Sequence, residues 1–132
     1  MLYLKSCWGE YMNIKEMLEK ILKDLRAVGD VDASAIVSRD GLLIAADIPQ
    51  NVNAEAFAAM TAAMLGAAET ATSELGRGVP DRVIVEGKEG KIIATGAGSK
   101  ALLVVMTNPK ASLGLILFEI GKASDKIKEV LK

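Results

Sequence analysis

The sequence predicts an α+β fold in which helices flank a five-stranded antiparallel sheet. Apolar residues recur at helical spacing near both ends and in the middle of the chain, and five short apolar runs lie between these segments. The links between neighbouring runs are short and rich in glycine, which allows antiparallel pairing but no crossover. The predicted order of elements is therefore α, β, β, α, β, β, β, α.

The first helix is expected from Asn13, a favourable N-cap residue, to Val28, which Gly29 follows as a stop. Its apolar positions repeat every three or four residues: Ile14, Leu18, Ile21, Leu22, Leu25 and Val28. This spacing indicates an amphipathic helix with one buried face.

Two strands of a hairpin are expected next, at Ala33–Val37 and Leu42–Ala46. They flank Asp40-Gly41, and an Asp-Gly pair between two apolar runs is the strongest short hairpin signal. A long second helix follows from Asn53 to Leu75, with Asn53 as its cap.

The remaining elements are a three-stranded meander and a last helix. The strands are expected at Arg82–Glu86, Lys91–Thr95 and Ala101–Thr107. The last helix is marked by apolar positions from Leu113 to Leu131. Since strands of five or six residues are not stable alone, we expect all five to form one sheet that the helices cover.

Composition excludes several classes of function. The chain has 132 residues, no histidine, one cysteine and a formal net charge of -1. A single domain of this kind has no imidazole for acid–base catalysis and no Cys/His set for zinc. With 16 Lys+Arg against 17 Asp+Glu and few aromatic residues, nucleic acid is not an expected partner. We therefore expect no catalytic residues, no cofactor, no metal site and no enzymatic activity.

The segment before Met12 has a different character from the rest. Residues 1–12 are expected to be an N-terminal extension, either disordered or an artefact of the gene model, and residues 13–132 form the domain. The segment has no apolar core long enough for a signal peptide, and no stretch of the chain reaches the roughly 18 apolar residues of a spanning helix. We expect a cytoplasmic protein without membrane insertion, in keeping with its lone Cys7.

Two local motifs resemble functional sites. Gly96-Ala97-Gly98-Ser99-Lys100 is similar to part of a phosphate-binding loop, but Lys100 precedes a strand and not a helix, so a hairpin turn is expected. Glu86 and Glu89 flank another turn without a pocket that would split their pKa values, and we interpret them as solvated turn residues.

The second helix carries the main functional signal. Nine of the 19 alanines lie between Ala54 and Ala71, and the only charges from Asn53 to Leu75 are three glutamates. One face is predicted to lie on the sheet: Phe57, Met60, Thr61, Met64, Ala68, Ala71 and Leu75. The opposite face holds small uncharged residues: Ala59, Ala62, Ala63, Gly66, Thr70 and Ser73.

A helix without a charged face is usually buried on more than one side. Because small residues let backbones approach closely, the same helix of a second copy is the expected cover, around a two-fold axis. The alternative is an exposed face in which alanine serves helix propensity only.

Four segments, in this order on an αββαβββα chain, resemble the Roadblock/LC7 domain family and its prokaryotic MglB-like branch. They are Ser38-Arg39-Asp40-Gly41-Leu42, Leu75-Gly76-Arg77-Gly78, Val85-Glu86-Gly87 and Ala101-Leu102-Leu103-Val104-Val105. The resemblance spans about Ile14 to Leu131. It implies a sheet with profilin-like layering and a non-enzymatic protein that forms dimers.

The resemblance also implies where partners bind. Members of the family join their sheets through the third strand, which here contains Val83 and Val85, and pair their second helices. The MglB-type members regulate small Ras-like GTPases, which implies a contact around Ala59, Ala63, Gly66 and Thr70, with Arg77 in the next loop. Arg77 could act as an arginine finger, although hydrogen bonds to carbonyl groups at the dimer seam are the preferred interpretation.

These observations predict a homodimeric regulator or scaffold of a small Ras-like GTPase. Two alternatives stay open. One is a structural subunit of a larger complex that contacts no GTPase. The other is a sensory module with a ligand between sheet and helix, which a pocket of about 300 Å³ or more would favour.

Overall fold

The computed structural model describes residues 3–5 and 11–132, and it has the predicted α+β architecture. A short ladder of β1 and β2 precedes the domain, which has three helices and five further strands. Their bounds are β1 Tyr3–Lys5, β2 Tyr11–Asn13, α1 Ile14–Arg26, β3 Val31–Ser38, β4 Leu43–Asp47, α2 Ala54–Glu74, β5 Arg82–Gly87, β6 Gly90–Gly96, β7 Ala101–Thr107 and α3 Leu113–Val130.

The five main strands form one antiparallel sheet in the order β4-β3-β7-β6-β5. The meander and the first hairpin are therefore confirmed, and β3 joins them by pairing with β7 at the centre. This arrangement leaves β4 and β5 as the two edges of the sheet.

The helices cover the sheet in two layers. On one face, α1 and α3 pack over the larger core cluster, which includes Leu22, Ile36, Leu103 and Ile120. On the other face, α2 packs alone over a smaller cluster that is centred on Phe57 and Ala58. The alternation of side chains along the strands separates the two clusters: Ile36 faces α1 and α3, whereas its neighbours in β3 face α2.

Both asparagine caps are confirmed. The Asn13 side chain accepts a hydrogen bond from the backbone N–H of Glu16 at 2.8 Å, and Asn53 accepts one from Ala56 at 3.0 Å. Each bond satisfies one of the N–H groups that the first helical turn leaves without a partner.

The predicted orientation of α2 was right only in part: Phe57 and Thr61 are buried as expected and Met64 packs against the cluster under α2. The residues that α2 buries are Phe57, Ala58, Thr61 and Leu65. Met60 was expected on the sheet but is 64% exposed, and Leu75 is exposed as well. On a helix that is uncharged along most of its length, side-chain size does not define the buried direction, and the small Ala58 is fully buried in the cluster under α2.

The N-terminal segment is only partly described. Tyr3–Lys5 pairs with Tyr11–Asn13 in an antiparallel ladder. Cys7 lies outside the described residues, and the expectation that residues 1–12 are an extension to the domain stays a prediction. Within the described part of the chain, no helix is both long enough and apolar enough to cross a membrane.

Candidate interaction surface

The outward side of α2 is exposed and carries no charge along most of its length. Ala59, Ala63, Gly66 and Thr70 are all exposed, and the exposed Met60 lies beside them. A Cβ atom built on Gly66 would meet nothing within 4 Å. This part of the helix therefore faces open space in the isolated chain, as the sequence predicted.

The hydroxyl groups of α2 do not make this surface polar. Thr70 donates from Oγ1 to the carbonyl oxygen of Gly66 at 3.1 Å, and Thr72 donates to that of Ala68 at 3.0 Å. Because these donors are satisfied inside the helix, they do not require water or a polar partner. The outer side of α2 is in effect an apolar surface.

Part of the small-residue face is used within the chain. Gly41, in the turn between β3 and β4, lies against α2, and a Cβ built there would be 3.4 Å from Ala59 Cα and 3.6 Å from Ala62 Cβ. Ala62 is accordingly half-buried and packs with the core cluster under α2. The expectation that Ala62 lies on the free face is thus corrected: its small size lets the hairpin turn approach.

The edge strand β5 adjoins this helix. Val83 and Val85 alternate with Ile84, which packs with the α1 and α3 cluster, so both valines lie on the α2 face. Val83 is half-buried, whereas Val85 is 44% exposed. Because α2 contacts β5 directly, helix and strand form one continuous surface.

We call this the α2–β5 surface. It consists of Ala59, Met60, Ala63, Gly66, Thr70, Val83 and Val85.

The loop from α2 to β5 extends the same region. Leu75 and Val79 are exposed apolar residues there, and Arg77 is exposed between two glycines with positive φ. The backbone N–H of Arg77 donates to Thr72 at 2.8 Å. Among the described residues its guanidinium has no hydrogen-bonding partner, so both interpretations of Arg77 stay predictions.

Sequence reasoning missed the residue that ties the hairpin to α2. Arg39 donates from Nη2 to the carbonyl oxygen of Gly98 at 2.7 Å, and its Nη1 lies 3.6 Å from Glu69 Oε2 on α2. A Cβ on Gly96 would be 2.9 Å from that Nη2, so the glycine makes room for the guanidinium. The available signal was an arginine at a hairpin tip, in a chain whose second helix has only acidic charges.

Two concavities larger than 300 Å³ bear on the alternative of a ligand-binding module. One of about 420 Å³ lies at the β6–β7 turn and the end of α3. The other, about 340 Å³, lies at the β5–β6 turn. The second is lined by strand and turn residues only, whereas the first lies between the β6–β7 turn and α3, so the alternative of a ligand-binding module stays open.

Comparisons with known proteins agree with this geometry. The family model of the Roadblock/LC7 domain matches residues 17–107. An uncharacterized protein of Methanocaldococcus jannaschii is 40% identical over 115 residues, covering 87% of this chain and 97% of the relative.

Among solved structures, MglB of Myxococcus xanthus superposes with a TM-score of 0.77 at 26% identity, covering 89% of this chain and 86% of that one. An MglB with a tetrameric arrangement gives a TM-score of 0.81 at 18% identity, with 92% of each chain covered, which shows the shared fold. The family match, the sheet order and the single helix on one face lead to the same conclusion: the chain belongs to the Roadblock/LC7 domain family.

Proposed function

We propose that this protein is a non-enzymatic, cytoplasmic homodimer that binds a small Ras-like GTPase and modulates its nucleotide cycle. The observation that carries the proposal is the α2–β5 surface, an uncharged helix face beside an exposed sheet edge. Exposed apolar patches of this kind mark interaction sites in proteins that are otherwise well covered. The same helix face and edge strand are where the family resemblance implies dimer formation.

The edge strand supports self-pairing in one register. In an antiparallel pair with a two-fold axis at Ile84, Val83 would lie opposite the partner's Val85, on the α2 side. On the other side, Arg82 would lie opposite the partner's Glu86. The strand is thus self-complementary in both shape and charge, and pairing would satisfy the row of backbone groups that an edge leaves open. A two-fold axis perpendicular to the sheet also keeps both α2 helices on the same face.

Regulation of a GTPase requires a surface that distinguishes its nucleotide states. A binding partner shifts a two-state equilibrium only by the ratio of its affinities for the two states. Two α2 helices side by side would offer a broad apolar platform, and Arg77 would add a cation at its edge. This arrangement suits contact with a mobile segment of another protein. Such contact requires no catalytic group on this chain.

The self-association step is tested by charge reversal in β5. Arg82→Glu should weaken the dimer about tenfold, because two carboxylates then face each other in both symmetric copies of the pair. Glu86→Arg should do the same, and the double variant should restore association. Sedimentation velocity over a concentration series measures this. If the double variant is weaker than either single one, the proposed register is wrong.

The GTPase step is tested by retention from native lysate with GDP or a GTP analogue. We expect one small GTPase, identified by mass spectrometry, to be retained in a nucleotide-dependent way. An Ala63→Arg variant should lose it, because the platform of two α2 helices requires the dimer that this change weakens, whereas Ala27→Arg, an exposed position after α1, should keep it. If no GTPase is retained with either nucleotide while the protein is dimeric, the structural-subunit alternative is favoured.

A further inference from the structure

The β6–β7 turn and the end of α3 form a concave corner that the proposed function does not use. We call it the basic corner; its residues are Ala97, Gly98, Ser99, Lys100, Lys128, Leu131 and Lys132. Its volume of about 420 Å³ falls in the range of small-molecule sites. Of its lining residues, Ala97 is buried and the three lysines are exposed.

The turn that lines this corner has backbone N–H groups without partners among the described residues. The hairpin closes with a bond from Ala97 N–H to the Ala101 carbonyl at 2.9 Å. Within the described part of the chain, the N–H groups of Gly98, Ser99 and Lys100 donate no hydrogen bond. Gly98 has φ +86, and consecutive free N–H groups in such a turn form the kind of concavity that binds anions.

The side chains around the turn add positive charge. The Lys128 stem lies across the turn, with Cγ 3.2 Å from the place a Cβ on Gly98 would occupy. Neither Lys100 nor Lys128 has a carboxylate within 4.0 Å among the described residues, whereas Lys132 is 3.7 Å from Glu129. From behind the turn, Arg39 holds the Gly98 carbonyl.

A simpler explanation covers only part of this arrangement. The carbonyl end of α3 opposes an anion, so a phosphate here depends on the lysines and the turn N–H groups. Lys128 is in the last turn of α3, where a cation is stabilised by the helix dipole. That accounts for a lysine at the position but not for its packing over Gly98. It also does not account for the second cation, Lys100, beside the same free N–H groups.

We infer that the basic corner binds the phosphate group of a small molecule, with the turn N–H groups as donors and Lys100 and Lys128 as counter-charges. The concave shape favours a soluble ligand over a flat membrane surface. The proposal is independent of the dimer, since the basic corner shares no residue with the α2–β5 surface.

The test is a titration of the whole chain with pyrophosphate and with inorganic phosphate, followed by the amide NMR signals of residues 98–100. We expect these signals to shift and saturate, and the affinity to fall as salt rises. Lys100→Gln together with Lys128→Gln should weaken binding by about tenfold or more. The matched control is Lys15→Gln with Lys110→Gln, which removes the same charge at exposed positions elsewhere and should bind as the wild type does.

The controls separate the possible outcomes. Equal weakening in both double variants would mean non-specific attraction to net charge and would overturn the proposal, as would the absence of shifts at residues 98–100. Cosedimentation with phosphatidylcholine vesicles, with and without phosphatidic acid, forms the second arm. The protein could instead bind only the phosphatidic acid vesicles and lose this binding in the variant with Lys100→Gln and Lys128→Gln. In that case the phosphate comes from a lipid headgroup and a soluble ligand is excluded.

Discussion

The two helices α1 and α2 bury the same number of residues, but they differ in how many charged residues they carry. In 13 residues α1 buries Leu18, Ile21, Leu22 and Leu25, and seven of its residues are charged. In 21 residues α2 also buries four, but only three of its residues are charged. The outer face of α1 is thus suited to water, whereas that of α2 is not. The difference supports the proposal that the outer face of α2 contacts a partner.

The largest effect should come from the buried leucines. Leu22 is fully buried in α1 and Leu65 is 2% exposed in α2. Leu22→Ala and Leu65→Ala should each lower the free energy of unfolding by about 2–5 kcal/mol, because each leaves a cavity. Met60→Ala should cost less than about 0.5 kcal/mol, since its side chain is exposed.

Urea denaturation at one fixed, low protein concentration measures all three. If Met60→Ala proved more costly than Leu65→Ala, α2 would be rotated toward the orientation predicted from its sequence. That result would overturn the orientation of α2 described above.

The next effect concerns association. Ala63→Arg should weaken the dimer by about 100-fold or more, because it places an unpaired charge in an apolar contact. Ala27→Arg makes the same change next to the charged helix α1 and should leave association unchanged. Analytical ultracentrifugation decides between them. A variant with Ala63→Arg that sediments as the wild type does would move the contact away from α2.

The N-caps of α1 and α2 should contribute about equally to stability, in contrast to the outer faces of these helices. Asn13→Ala and Asn53→Ala each remove one side-chain bond to a first-turn N–H, at 2.8 and 3.0 Å. Each should cost about 1 kcal/mol of the free energy of unfolding. Thermal denaturation measures both, with Ser112→Ala at the start of α3 as control, because the Ser112 side chain makes no cap bond. A loss of stability in only one of the two asparagine variants would contradict equal contributions from the two caps.

The smallest effect should come from the ion pairs that fix each helix to a neighbouring element. Glu69→Gln removes the 3.6 Å pair of α2 with Arg39, and Asp47→Asn removes the 2.9 Å pair of α1 with β4 through Arg26. Exposed pairs contribute about 0–1 kcal/mol, and the longer contact should contribute less. Both losses should shrink at high salt, and chemical denaturation with and without added sodium chloride measures them.

The same contrast explains which predictions from sequence succeeded. On α1 the apolar positions form one stripe between charged residues, so its buried face was correctly predicted from Leu18 to Leu25. On α2 the residues outside the core are also apolar, so helical spacing of about 100° per residue placed Met60 on the sheet face together with Phe57 and Thr61. The hairpin and the meander followed from glycine-rich turns. The contacts of Arg39 with Glu69 and Gly98 could not be predicted, because they join a hairpin tip to positions 30 and 59 residues away.

The sequence by itself determined the helices, the antiparallel strands and the family, because caps, turns and hydrophobic periodicity act over a few residues. It also determined that the outer side of α2 carries little charge. Only the tertiary structure decided which side of α2 meets the sheet and that Ala62 serves the approach of Gly41. It likewise decided that β5 lies at an edge and that Lys128 crosses the β6–β7 turn. These features depend on packing between segments distant in the chain, and local propensity does not encode that packing.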